Sequence, residues 1–138
     1  MLFNFSCSDL NFDVVVVGGG TSGVASAIQS SRLGSKTLLI EESNWLGGML
    51  TSAGVSAVDG NYKMPSGFLK EFRDSLVSYY GHLDSLKTGW VSNFMFEPSV
   101  GNRILKDIAK QENNLTILYG STVSEVVKKE NFSIKVNE

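Results

Sequence analysis

The sequence predicts an α/β domain built on a buried parallel sheet, and three observations carry that reading. Two short β-branched apolar runs, residues 12–17 and 37–40, bracket a stretch with helical spacing. The strand, helix and strand together fit within about thirty residues, the size of one βαβ crossover. A third apolar run, residues 115–119, arrives after two further helical stretches, and an alternating hairpin pattern follows it.

Taken in order, residues 12–17 are apolar on both faces, as in a central parallel strand covered from both sides. In the helix that follows, Val24, Ala27, Ile28 and Ser31 recur along one small-residue face, and Gly34 stands where a helix commonly stops. The second strand, 37–40, is closed by Glu41 and Glu42. Residues 43–61 are rich in Gly, Ser and Asn without sustained periodicity, and a loop of that length in a compact domain is usually functional or mobile. Ser66 offers an N-cap to a helix in which Phe68, Leu69, Phe72, Leu76, Tyr79 and Tyr80 keep an amphipathic rhythm until Gly81. Residues 81–96 read as a second irregular stretch. Pro98 suits the first position of another helix, with Val100, Ile104, Leu105 and Ile108 on its apolar face and Asn113-Asn114 at its end. After the third strand, residues 122–128 and 132–136 alternate around Glu130-Asn131, which predicts an antiparallel pair. Residues 1–11 form a polar leader, and 12–138 form one domain.

Composition narrows the function. Hydrophobic residues make up 42% and charged residues 19%, the balance of a globular chain with a real core. A formal charge of −2 points away from nucleic acid and anionic membrane surfaces. Cys7 is the only cysteine and His82 the only histidine, so an intrachain disulfide and any multi-Cys or multi-His metal site are excluded. The leader lacks the basic start and long apolar run of a signal peptide, and the run 14–17 is far too short to cross a bilayer. A reducing, cytoplasmic setting is the expectation.

The chemistry lies in Gly18-Gly19-Gly20-Thr21-Ser22-Gly23, which follows a buried strand, opens a helix and leads to a second strand ending in an acid. In a dinucleotide-binding, Rossmann-like domain each residue type has a task. Gly18 permits the sharp turn out of the strand, Gly20 lets a pyrophosphate approach the backbone, and Gly23 lets the helix pack against the sheet. Free N–H groups at the helix start, with the positive end of its dipole, stabilise the diphosphate, and Thr21 and Ser22 offer hydroxyl donors. Glu41, at the end of the second strand, stands where an acid accepts hydrogen bonds from the adenosine ribose and repels a ribose phosphate.

This motif, with Leu39-Ile40-Glu41 after it, resembles the start of flavoproteins with two dinucleotide-binding domains. The run Leu46-Gly47-Gly48-Met49-Leu50-Thr51-Ser52-Ala53-Gly54 is similar to one branch, the FAD-dependent oxidoreductases with a Gly-Gly-Met-Leu-Thr segment, some of which carry a xanthan lyase label. The resemblance runs from Phe12 onward and implies FAD as cofactor. It also implies that Gly47 and Gly48 let backbone pass close to FAD, that Met49 approaches the flavin, and that Val123 lies where the family sets backbone against adenine. Members of that family are several times longer, return a late strand that closes the sheet, and carry a second Gly/Asp motif there. Nothing after Val123 resembles that motif. The resemblance therefore implies a Rossmann-like three-layer FAD/NAD(P)-binding domain that is incomplete, a parallel sheet with an antiparallel hairpin at its end. A partner chain or a further carboxyl-terminal segment would complete its site.

Other residues read more simply. His82 is an exposed turn histidine rather than a catalytic base, Trp45 and Trp90 are loop anchors, and Glu97 is a helix-start acid. No acid, base or nucleophile is assigned. The function expected is the FAD-binding segment of an oxidoreductase, holding the ADP half through the glycine loop and Glu41, with its substrate unidentified. The alternatives are a non-catalytic nucleotide-binding fragment and an NAD-binding dehydrogenase domain.

Overall fold

The computed structural model describes residues 10–60, 62–90 and 92–137, so Cys7 and most of the leader 1–11 lie outside the described residues. Three parallel strands, β1 (Val14–Val17), β2 (Thr37–Glu41) and β3 (Leu115–Tyr119), pair in the order β1-β2-β3. Val14 pairs with Thr37, and Thr37 with Leu115. Helix α1 (Thr21–Arg32) is the crossover from β1 to β2. Helices α2 (Gly67–Tyr80) and α3 (Pro98–Ala109) come between β2 and β3, and β4 (Thr122–Lys128) pairs antiparallel with β5 (Phe132–Asn137). These elements match the sequence pattern closely, with Pro98 opening α3 and Gly81 closing α2 in the left-handed conformation at φ 85°.

One core gathers the helices against one face of the sheet. Val24, Ala27 and Ile28 of α1, Phe72 and Leu76 of α2, and Ile104, Leu105 and Ile108 of α3 meet Val16, Leu39, Leu115 and Ile117 of the strands. Phe94 and Phe96, from the segment before α3, complete it, and the Phe72 and Phe96 rings pack edge to face at 5.3 Å. Each Val, Leu, Ile or Phe side chain fully buried there contributes about 1.5–3 kcal/mol. Strand side chains alternate between faces, and Ile40 is buried outside this cluster, at 1% exposure. The start of β4 lies beside the end of β2, and the hairpin contributes no residue to this core.

Three features differ from the sequence reading, the first being Trp90, which reads as a loop anchor but is 99% exposed. The residues of β1 are only partly buried and Val17 is 60% exposed, whereas a run of four valines reads as a strand covered on both sides. β1 is the outer strand of the described sheet, and no described strand pairs with its free edge. Within the irregular stretch, Leu83–Leu86 form a short 3₁₀ turn. His82 caps it, its Nδ1 accepting a hydrogen bond from the Asp84 amide at 3.1 Å, and the His82 side chain is exposed, as the sequence suggests.

Arg32, at the end of α1, ties the helix layer together. Its guanidinium donates two 2.7 Å bonds to the Glu71 carboxylate on α2 and a third to Glu112 Oε1. Hydrogen bonding to Arg32 holds the Glu71 carboxyl below its ordinary 4.5, against an opposing push from burial. A depressed folded-state value means that the stabilisation is present above the unfolded value and is lost as pH falls through the folded one. The stability gap between the native protein and Glu71→Gln is therefore expected to be constant above about pH 5 and to close below the Glu71 value of the folded state. Denaturation curves across that range measure it. A gap independent of pH down to full protonation would rule out the ion pair as its source. The pair is about one-third exposed, so the gap is expected to be small and to shrink with salt.

Candidate cofactor site

The site forms where β1 ends. Gly18 leaves the strand at φ +93°, a left-handed conformation that glycine adopts without penalty. The chain then turns back so tightly that a Cβ on Gly23 would overlap the Gly18 carbonyl oxygen. Gly20 caps α1 with extended backbone, φ −62°, and a Cβ built there meets nothing within 4 Å. The first helical hydrogen bond runs from the Val24 amide to the Gly20 carbonyl, so the N–H groups of Thr21, Ser22 and Gly23 precede it and have no intrahelical partner. Open space over Gly20, free N–H groups and the positive end of a twelve-residue helix dipole fit a diphosphate.

Glu41 is the hub of the corner. Its side chain turns inward and the residue is only 8% exposed. Oε2 accepts from the Gly19 amide at 2.6 Å, while Oε1 accepts from the Ser43 amide at 2.8 Å and the Ser43 hydroxyl at 2.6 Å. Gly19 has to be glycine for that reason, since a Cβ would come within 2.8 Å of Oε2 and 3.0 Å of Leu46 Cδ2. Four lone-pair positions on a carboxylate leave capacity for a further donor. Burial first, and then the negative charge of Glu41, push the Tyr119 phenol above its usual 10.

The second glycine segment lies directly against the first. The Gly47 amide donates to the Gly19 carbonyl at 2.8 Å, Gly20 and Gly47 form a parallel bridge, and the Thr21 hydroxyl donates to the Gly47 carbonyl at 2.9 Å. Thr21 was expected as a phosphate donor. Its one hydroxyl hydrogen instead staples the two loops, while Ser22 stays exposed on the first turn of α1. Gly47 sits at φ +107° and Gly48 at φ +52°, opening a 3₁₀ turn, Gly48–Leu50, on which Met49 is 68% exposed. Val123 lies in β4 opposite Val136, beside an irregularity in the pairing. Two residues before it, the Ser121 amide donates to the Glu41 carbonyl at 3.0 Å, which brings the start of β4 to the Glu41 end of β2.

The sequence motifs missed the residues that hold this corner. Gly19 was legible in principle, because three consecutive glycines stand where the pattern requires two. Ser43 carries no local signal, nor do Thr51, whose hydroxyl donates to the Leu46 carbonyl, and Asn102, whose Oδ1 accepts from the Leu46 amide. Their partners are fixed only once the chain is folded.

The chain as a whole is similar to known proteins. The family model described as FAD dependent oxidoreductase matches residues 13–138. The chain belongs to the FAD-dependent oxidoreductase family. FAD is the cofactor of that family. Glutathione reductase of Debaryomyces hansenii is 42% identical over 69 residues, which are 49% of this chain and 14% of that protein. Among solved structures, Aquifex aeolicus GidA superposes on 92% of the chain with TM-score 0.60 at 20% identity. The OTEMO structure in complex with FAD and NADP superposes on 91% with TM-score 0.54 at 18% identity. At those identities the structures show a shared Rossmann-like fold. The chain spans 23% and 22% of the length of those two structures. Among the described residues, no helix is long and apolar enough to cross a membrane.

Proposed function

We propose that this segment of the FAD-dependent oxidoreductase binds the ADP half of FAD across the glycine loop and the α1 N-terminus. In this reading Gly18, Gly20, Ser22 and Gly23 surround the diphosphate, with Thr21 holding the loop. Glu41 accepts from the adenosine ribose. Gly47, Gly48 and Met49 run toward the flavin, and Val123 lies on the adenine side. The observation that carries this reading is the fusion of the two glycine segments through Gly47–Gly19 and Thr21–Gly47, with Glu41 bonded beneath them. One ligand spanning a diphosphate and a flavin would need both segments in contact.

When bound, FAD supplies the redox chemistry, and the chain contributes binding, orientation and electrostatics. The Thr21, Ser22 and Gly23 amides meet the diphosphate charge, and the Glu41 carboxylate fixes the ribose. The free edge of β1 supports a further part of the reading, that more chain or a partner subunit completes the site and provides the substrate pocket. The single cysteine is consistent with a reducing, cytoplasmic setting.

A second reading, a nucleotide-binding piece with no redox activity of its own, is favoured by that same free edge. Separate calorimetric titrations of FAD, ADP and NAD distinguish the possibilities. FAD is expected to bind about tenfold or more tightly than ADP, because only FAD reaches Gly47-Gly48. Equal affinities for FAD and ADP would support the second reading, and preference for NAD over FAD would overturn the FAD reading.

A further inference from the structure

Helix α3 contains no part of the glycine motifs, yet it grips the loop that joins Glu41 to Gly47. The Leu46 amide donates to Asn102 Oδ1 at 2.9 Å, across 56 residues of sequence. One turn later, Lys106 Nζ donates to the Asn44 carbonyl at 2.5 Å and lies 5.0 Å over the Tyr119 ring. Asn102 and Lys106 are four apart and so share one face of the helix. Between them Leu105 fills the space beside Gly47, where a Cβ would come within 2.7 Å of its Cδ1.

The dipeptide Leu46-Gly47 is fixed at all four of its backbone polar groups. Asn102 takes the Leu46 amide, and the Thr51 hydroxyl donates to the Leu46 carbonyl at 2.6 Å. Gly19 takes the Gly47 amide, and Thr21 donates to the Gly47 carbonyl. Leu46 itself is fully buried. Three of these four bonds come from the glycine loop or from within the segment. Of the four, only the bond to Asn102 comes from α3.

We propose that Asn102 is a positioning residue for the flavin-side glycine segment, holding Gly47-Gly48 at the height where it meets the isoalloxazine half of FAD. The inference rests on the FAD-binding reading above, and it separates two functions within one site. The adenosine end depends on Glu41 and the α1 N-terminus, whereas the flavin end depends on α3 through Asn102. Asn102→Ala removes one acceptor from a buried amide and frees Leu46-Gly47 to shift. Asn102→Asp keeps an acceptor at the same reach.

Two measurements on the full chain test this. By calorimetry, Asn102→Ala is expected to weaken FAD about tenfold while leaving ADP within about twofold, and Asn102→Asp is expected to recover most of the FAD affinity. Equal loss of FAD and ADP would show a general loosening and overturn the assignment. The second measurement needs no ligand. Amide hydrogen exchange in Asn102→Ala is expected to accelerate at Leu46 and Gly47 about tenfold or more while the α1 and β2 amides keep their protection. Unchanged exchange at Gly47 would overturn the proposal whether or not FAD binds. A native chain that binds neither FAD nor ADP would instead defeat the FAD reading and leave the exchange result to decide the role of Asn102 in holding the loop.

Discussion

Gly23→Ala is expected to destabilise the fold by about 1–3 kcal/mol, while Gly20→Ala, three residues earlier in the same motif, is expected to leave stability within about 0.5 kcal/mol. The two glycines are constrained by different things. A methyl group on Gly23 would collide with the Gly18 carbonyl oxygen, which is backbone and cannot swing aside. Relief requires α1 to lift from β1, which pulls Val24, Ala27 and Ile28 out of the core they share with Leu39. Gly20 has an ordinary negative φ and empty space where its Cβ would point. Its methyl group meets only what approaches from outside. Under the FAD reading that visitor is the diphosphate, so Gly20→Ala is expected to lose FAD affinity by about tenfold or more in a fully folded protein. Urea denaturation and FAD titration on the two variants separate the effects. A Gly20→Ala protein with native FAD affinity would place the diphosphate elsewhere.

Much of this fold is written locally. The spacing of Val24, Ala27, Ile28 and Ser31 locates the buried stripe of α1, and Pro98 and Gly81 mark helix ends, because caps and periodicity depend on near neighbours in sequence. Gly18, Gly23 and Glu41 were also legible, since strand, turn, helix and acid come in fixed order. What could not be read is everything set by long-range geometry. Four valines look the same in a central strand and in an outer one, so the half-exposed state of β1 depends on which strands pair with it. Thr21 reads as a phosphate donor until Gly47, 26 residues away, takes its hydrogen. Asn102 reads as a helix-surface amide until the Leu46 amide arrives against it. The inward turn of Glu41 onto Gly19 is of the same kind, a contact across 22 residues that the motif does not encode.

That inward turn makes Glu41 the other position of large expected effect. Glu41→Ala removes the acceptor for the Gly19 and Ser43 amides and for the Ser43 hydroxyl in a buried site. Unpaired buried N–H groups cost about 1–3 kcal/mol each, so a total loss of about 2–5 kcal/mol is expected in denaturation experiments. Glu41→Gln tests charge and geometry together. The amide matches the carboxylate in size but offers one oxygen where the native residue uses two, so its NH₂ group must face a donor, either the Gly19 amide or the Ser43 pair. The glutamine variant is therefore expected to lose about half as much stability as the alanine variant. A glutamine variant as stable as the native protein would show that the two-sided acceptor role is wrong. Ligand affinity then divides the structural role from the binding role. Ser43→Ala removes one hydroxyl donor from the carboxylate but leaves the carboxylate itself in place, so at temperatures where both variants are folded it is expected to keep ADP within about twofold while Glu41→Gln weakens it about tenfold. Equal ADP affinities in the two variants would leave Glu41 as a brace for the glycine loop and remove it from the ribose contact.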